Sequence, residues 1–386
     1  VAIVGAGPVG MEAALACVER GVPFRLYEAG HGVGAGIREW GHVRMFTPWQ
    51  MTVSPRMVRV LDALGVEVPD DGHCPTGDEL VEHALAPLAD SPAIAGHLRL
   101  ASPVRHIARE GLTKEQEIGS DVRAARPFRL IVDSPSGERV ERARALIDCS
   151  GARALANTVG DGGVPAPGEQ QLAAEMGREI PDEAQARAWA GSRVLLVGAG
   201  HSAQTAARAM MPLVEEGELA VTWSVRGREP DWGAVADDPL AERAALVAAA
   251  RRIAGSPSVD FRPGTAVDAL RRAERGIAVR LRSADGHEEV EVDRVLALTG
   301  RVGDHAIYRQ LQVHECYATA GPMALAGRLL DDDGDCLAQT AHGSEALRTP
   351  EPGFFVLGAK SYGRNRTFLT RIGYEQVNEV IGMVAA

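Results

Sequence analysis

The stretch "LLVGAGHSAQTAARA", residues 195–209, admits two readings that lead to different proteins. Gly200-His201-Ser202-Ala203-Gln204 opens like the G-x-S-x-G elbow that lifts a nucleophilic serine out of a strand–helix turn. Gly198-Ala199-Gly200-His201-Ser202-Ala203 matches G-x-G-x-x-[GA], the turn that cradles a dinucleotide pyrophosphate. Both sit between an apolar strand and a helix, so local context does not choose. The elbow needs a glycine two positions after the serine, where Gln204 stands.

A second copy of the pattern decides. The chain begins Val1-Ala2-Ile3-Val4-Gly5-Ala6-Gly7-Pro8-Val9-Gly10 and repeats the plan from Val194 to Ala203. Each copy is a buried-strand run, then G-A-G, then a small residue three positions on, then an Ala-rich helix. One such turn is a weak signal; two in matching contexts point to paired dinucleotide-binding units. Gly5 and Gly198 permit the tight turn, and Gly7 and Gly200 let the backbone approach a pyrophosphate. Gly10 and Ala203 let helix pack on strand. Pro8 and Val9, like His201 and Ser202, open a helix whose N–H groups and partial positive charge suit an anion. Ser202 then caps those groups or touches the pyrophosphate.

The second strand of each unit separates the nucleotides. Gly21-Val22-Pro23-Phe24-Arg25-Leu26-Tyr27-Glu28 ends in an acid 18 residues beyond Gly10, near the spacing of a carboxylate that binds ribose hydroxyls. "LAVTWSV", residues 219–225, ends instead in Arg226-Gly227-Arg228. Cations there suit a 2′-phosphate, which points to NADPH. An arginine–phosphate bond contributes about 1.5–3 kcal/mol. A solvated strand-end acid and ordinary surface arginines are the plainer alternatives.

The 386 residues suggest more than one domain. A hydrophobic content of 45% allows a large core, and a net charge of -11 argues against nucleic acid or an anionic membrane as the main partner. Five widely spaced cysteines without a C-x-x-C pair fit a reducing cytoplasm and no zinc site. The opening "VAIV" lacks a basic region, and its glycines interrupt any membrane-spanning or signal pattern. The expectation is a cytoplasmic protein. Residues 98–109 and 127–149 carry short strand patterns that suggest an antiparallel insert. "RARALIDCSG" (142–151) and "DRVLALTG" (293–300) end in Ser-Gly or Thr-Gly, and residues 160–171 read as loop and linker.

These motifs together resemble the two-dinucleotide-binding-domain flavoproteins, and among them the bacterial class B flavin-containing monooxygenases. The resemblance spans nearly the whole chain: the turns at Gly5 and Gly198, the returns at Gly151 and Thr299-Gly300, and a closing strand at Leu357-Gly358. It implies an α/β fold of two Rossmann-like domains. An NADPH domain with its linker, 156–300, is inserted into an FAD domain made of 1–155 and 301–386. It also implies that Val104 pairs its backbone with adenine. The helix after Arg371, with Ile372 and Gly373 in its first turn, would aim its N-terminus at the flavin. Two departures stand out. Gly358 is followed by Ala359 and Lys360 rather than by an acid, and the fingerprint F-x-G-x-x-x-H-x-x-x-[YF] is missing from 177–194.

In "REWGHVRMFTPWQ" (38–50), Arg44, Thr47, Pro48, Trp49 and Gln50 either line the flavin ring or pack beneath it, with Trp40 and His42 as further candidates. Lys360, Ser361, Tyr362, Arg364 and Asn365 form either a solvated turn or a site for a carboxylate-bearing or polar substrate, with Lys360 and Arg364 as anion clamps. The catalytic candidates are therefore Arg364, Asn365, Lys360, Tyr362 and Gln50. Residues 305–350 exceed what the basic fold needs and are expected to cover the active site. Cys316 and Cys336 are the only redox-pair candidates. The implied activity is an FAD- and NADPH-dependent monooxygenase that oxygenates a small polar metabolite with molecular oxygen through a C4a-(hydro)peroxyflavin. The alternative is a reductase passing electrons to a quinone, protein or thiol. A homodimer stays open.

Overall fold

Val1–Val4 carries only apolar side chains, and such a run forms a strand buried on both faces, here Ala2–Val4. A computed structural model describes residues 1–69, 72–330, 342–365 and 367–385. Two parallel neighbours flank this strand, Arg25–Tyr27 and Leu146–Asp148, so that Val4 faces Tyr27 and Asp148. Leu98–Arg99 and Phe354–Val356 complete a five-stranded sheet at its two edges. The chain leaves Ala2–Val4 in one direction and returns on the other side. The crevice beyond that strand's carboxyl end is the switch point where sheets of this type bind ligands.

Helix Pro8–Glu19 starts with proline at its first position and ends in a left-handed glycine, Gly21. The Gly21 and Val22 N–H groups donate to the Val18 and Cys17 carbonyls, closing the last turn. The C-terminal helix Thr370–Ala385 packs against it. Gly373 allows this approach, because a Cβ there would lie 2.5 Å from Val9 Cγ2.

The insert is a three-stranded antiparallel sheet of Val104–Arg109, Phe128–Val132 and Arg139–Ala143. Leu98–Arg99 does not join it as the strand pattern suggested. The N–H groups of Leu26 and Glu28 take the His97 and Arg99 carbonyls, which fixes this segment to the parallel sheet. Arg109 and Arg123 hold Glu351 between them at 2.6 and 2.7 Å, all three side chains fully buried. The Gln312 N–H donates to the same carboxylate at 2.8 Å.

The chain divides into two compact units, Val1–Leu155 with Val302–Ala386 and Ala156–Arg301. The second unit has its own five-stranded parallel sheet. Its order is Val259–Pro263, Ala220–Val225, Arg193–Val197, Arg294–Ala297, Met176–Gly177. Helix His201–Glu215 follows the central strand, as Pro8–Glu19 does in the first unit. A three-stranded antiparallel sheet, Ala266–Arg272, Ile277–Ser283 and Gly286–Val292, packs on this unit's core. Among the described residues no helix is long and apolar enough to cross a membrane.

Candidate functional site

Each unit carries a strand–turn–helix cradle whose geometry follows from its glycines. In the first, Gly5 has φ +95°, and a Cβ there would lie 2.6 Å from the Cys149 carbonyl oxygen. A Cβ on Gly10 would lie 1.8 Å from the Gly5 oxygen, whereas one on Gly7 meets nothing within 4 Å. Gly5 and Gly10 are thus fixed by the fold, while Gly7 faces open space beside the helix start. Helix Pro8–Glu19 has no side-chain cap, so its first N–H groups remain available to an anion. Glu28 is buried at the end of the neighbouring strand and accepts the Ala6 and Gly30 N–H groups, each at 2.8 Å. Those bonds hold the carboxylate at the mouth of the turn with further lone pairs to offer. The Ala101 and Ser102 N–H groups bond the Gly30 and Glu28 carbonyls, which brings the start of the Val104 strand beside Glu28.

The second cradle repeats this. Gly198 has φ +129°, and a Cβ would lie 2.3 Å from the Leu298 oxygen; at Gly200 it would meet nothing within 4 Å. Two residues that the sequence reading passed over pin the turn. The Trp223 indole donates to the Gly198 carbonyl at 2.7 Å. The buried Gln204 amide donates to the Ala199 and Trp232 carbonyls at 2.9 and 2.8 Å. With these carbonyls held, the orientation of the turn is set by side chains rather than by a ligand. Gln204 was noticed only as a missing elbow glycine; an amide on a buried helix face was the available signal. Ser202 is exposed and helix His201–Glu215 has no side-chain cap, so the capping role expected of Ser202 is corrected. Ala203 is fully buried. Arg226 and Arg228 are exposed just past Val225, and neither has an ion-pair partner among the described residues. The Gly264 N–H donates to the Gly227 carbonyl, bracing the turn that presents both. Thr299 and Gly300 are tied to Asn157, with the Thr299 hydroxyl donating to its carbonyl at 2.7 Å.

The remaining candidates spread over different environments. Trp49 is 2% exposed and belongs to the core, which is the packing alternative. The hydroxyls of Thr47 and Thr52, both buried, lie 2.9 Å apart in hydrogen-bond contact. Gln50 is exposed on the short helix Trp49–Thr52. Arg44 donates to the His73 ring and to the Cys74 carbonyl at 2.6 Å, committing its guanidinium to the neighbouring turn.

Lys360 requires a correction. It is neither a solvated turn residue nor an anion clamp. Its ammonium is fully buried and donates to Asp148 at 2.6 Å, to the Asp304 carbonyl at 2.7 Å and to Ser150 at 3.1 Å. The charge is already neutralised inside the fold. A carboxylate in the buried strand Leu146–Asp148 was the signal that a cation must face it. Tyr362 is also buried, edge-on to Phe368 at 5.3 Å. Arg364 is exposed, its N–H bonded to the Thr319 carbonyl. Asn365 accepts the Thr367 N–H in a local turn. Gly358 has φ +73° and donates its N–H to Gln376 at 2.8 Å, and Ile372 is fully buried in the first turn of the last helix. Gly151, at φ +78°, leaves the space where a Cβ would stand open.

Within 305–350, Tyr308 and Leu311 pack on the insert sheet, and Leu325 and Leu329 of helix Met323–Leu330 pack on the helical core. Residues 331–341, and with them Cys336, lie outside the described residues. Cys17, Cys74, Cys149 and Cys316 are all free thiols. Burial pushes Cys17 up to about 11 and Cys149 well above the ordinary thiol range. Hydrogen bonds from Thr319 hold Cys316 below it. Among the described residues no His, Cys, Asp or Glu cluster could hold a metal.

No protein-family model matches the chain, and no curated protein does. Among solved structures it is similar to the bacillithiol disulfide reductase of Staphylococcus aureus, with TM-score 0.71 and 14% identity over 99% of this chain and 97% of that one. An ornithine N-hydroxylase from Kutzneria gives TM-score 0.64 and 15% identity over 99% and 98%. A flavin-containing monooxygenase from Stenotrophomonas maltophilia gives 0.60 and 18% over 99% and 98%. Reductases and monooxygenases thus share this architecture, and the chain has the fold of the two-dinucleotide-binding-domain flavoproteins.

Proposed function

We propose that the chain is an FAD-dependent, NADPH-using oxidoreductase, and specifically a monooxygenase acting on a small polar metabolite. One observation carries the reading. The two cradles share their glycine geometry but differ at one position, with buried Glu28 in the first and exposed, unpaired Arg226 and Arg228 in the second. A carboxylate there favours a ribose diol, and a guanidinium favours a 2′-phosphate. FAD, when bound, supplies the acceptance of a hydride and the activation of oxygen. The protein's own residues bind and orient. Gly5, Gly7 and the N–H groups after Pro8 hold one pyrophosphate, while Glu28 and the backbone at Val104 hold its adenosine. Gly198, Gly200 and the N–H groups after His201 hold the other, anchored by Arg226 with Arg228 beside it. Exposed Arg364, with Asn365 next to it, supplies the charge that recognises a polar substrate.

A second reading, a reductase acting on a disulfide or quinone, is favoured by the likeness to the bacillithiol disulfide reductase. Oxygen uptake and product analysis separate them. A monooxygenase consumes oxygen and NADPH in equal amounts and yields an oxygenated product. NADPH oxidation that needs a disulfide or quinone and leaves oxygen untouched would make the reductase the correct assignment.

A further inference from the structure

Between Arg228 and helix Ala241–Ala254 the second unit makes a loop, residues 229–240, that lies against the second cradle. Three contacts put it there. Gln204, fully buried on the cradle helix, donates from its amide nitrogen to the Ala199 carbonyl at 2.9 Å and to the Trp232 carbonyl at 2.8 Å. The Trp232 ring packs 5.1 Å from Trp223, whose indole donates to the Gly198 carbonyl. Gly233 backs on the His201 ring, where a Cβ would come within 3.2 Å of Nε2. The carbonyls of Gly198 and Ala199 are thus each tied to Trp232 through a single side chain.

Trp232 stands in a conformation that a bulky residue rarely takes, with φ +62°. Such backbone persists where its surroundings hold it, and it gathers at ligand clamps. Here the hold is the packing of Trp232, 5% exposed, on Trp223 and Phe261, together with the Gln204 bond. The result is a fixed span of chain. Residues 228–231 are strung between two anchored carbonyls, that of Gly227, which accepts the Gly264 N–H at 3.0 Å, and that of Trp232. Pro230 restricts the span, and Asp231 closes its end by accepting the Gly233 N–H at 3.0 Å. Gly264 leaves room for Arg228, since a Cβ there would lie 2.9 Å from Arg228 Cγ. Farther on, Asp238 and Arg243 form a buried pair at 2.6 Å that fixes the return of the loop.

We propose that Gln204 is a positioning residue for the choice of nucleotide. By holding Ala199 and Trp232 on one amide, it sets the pyrophosphate turn and the arginine turn at the spacing that NADPH spans. The inference rests on the reading of the second cradle as the NADPH site. NADPH meets both turns, through its pyrophosphate and its 2′-phosphate, whereas NADH lacks the second phosphate. Fixing the two turns beforehand therefore favours NADPH, which would otherwise have to order the loop as it binds. Calorimetric titration of the full chain, saturated with FAD, with NADP⁺ and NAD⁺ tests this in Gln204→Met, which keeps the bulk and removes both bonds. NADP⁺ should bind roughly three- to ten-fold more weakly to the variant, and NAD⁺ should lose less, so that the preference falls. A residue that only supports the fold would lower the melting temperature and shift both affinities by the same factor. Amide hydrogen exchange on the wild-type chain needs no variant. NADP⁺ should slow exchange at Gly233 and Ala234, whose N–H groups close the Asp231 turn, as well as at Gly198–Ala203, and NAD⁺ only at the latter. A wild-type chain that binds both dinucleotides alike overturns the NADPH reading and the role of Gln204 with it. A chain that prefers NADP⁺, but whose variant keeps the full preference or whose Gly233 and Ala234 amides ignore NADP⁺, overturns the role of Gln204 and leaves the NADPH reading standing.

Discussion

Glu28 and Arg226 stand at equivalent ends of equivalent strands, and the contrast between them is a contrast of charge at a fixed place. Arg226 is exposed and has no partner in the fold, so removing its guanidinium costs the fold nothing. For Arg226→Ala we expect a KM for NADPH raised roughly ten- to a hundred-fold, with NADH little changed, from the loss of one charge-assisted bond. Equal losses for both cofactors would move the phosphate contact to Arg228. Lys360 is the opposite case. It is one of only two lysines in the chain, and its charge is spent on Asp148. Lys360→Met strands a buried carboxylate and should cost about 3–5 kcal/mol in urea unfolding. Adding Asp148→Asn should recover much of that loss. If the double variant is no more stable than the single, the ion pair is not what Lys360 contributes.

At the scale of the element, each cradle separates glycines that the fold requires from those that face open space. Gly198→Ala forces a Cβ to 2.3 Å from the Leu298 oxygen at φ +129°, whereas Gly200→Ala meets nothing in the fold. Gly198→Ala should lower the melting temperature sharply. Gly200→Ala should leave it unchanged and weaken NADPH binding, because the added methyl stands where a pyrophosphate approaches. A Gly200→Ala protein that binds NADPH normally would place the nucleotide elsewhere. Ser202→Ala, lacking any cap bond to lose, should be neutral for stability. The glycine pattern and strand ends were legible in the sequence because they are local: spacing, backbone freedom and one charge after a strand. What was not legible is non-local. Gln204 and Trp223 act on carbonyls across the turn, and Lys360 meets Asp148 from 212 residues away. The contacts of His305 with Glu315 and Tyr308 form only once their segment has packed on the insert. The sequence leaves Trp49 either lining a flavin or packing; aromatic side chains carry large apolar area, and this one lies in the core.

At the scale of the molecule, the proposed function makes a stronger demand than either cradle alone: under it, each unit takes its own nucleotide. The first unit is stitched together across great sequence distance by Arg109, Arg123 and Glu351, which join the insert to the closing strand segment. Glu351→Ala leaves two buried guanidinium groups without their carboxylate and should destabilise that unit by about 3–5 kcal/mol. Amide hydrogen exchange reads the assignment of nucleotides directly, because a ligand that binds a cradle protects the N–H groups it covers. FAD should slow exchange at Gly5–Gly10, around Glu28 and at Ser102–Val104. NADP⁺ should slow it at Gly198–Ala203 and around Arg226–Arg228, and Arg226→Ala should weaken that second footprint while leaving the first intact. The helix starts make the measurement sensitive, since neither Pro8–Glu19 nor His201–Glu215 has a side-chain cap to protect its first amides beforehand. NADP⁺ protecting the Gly5 turn, or FAD protecting the Gly198 turn, would reverse the reading of Glu28 and Arg226. In that event the charges at the two strand ends would be surface features, and specificity would have to come from contacts beyond the cradles.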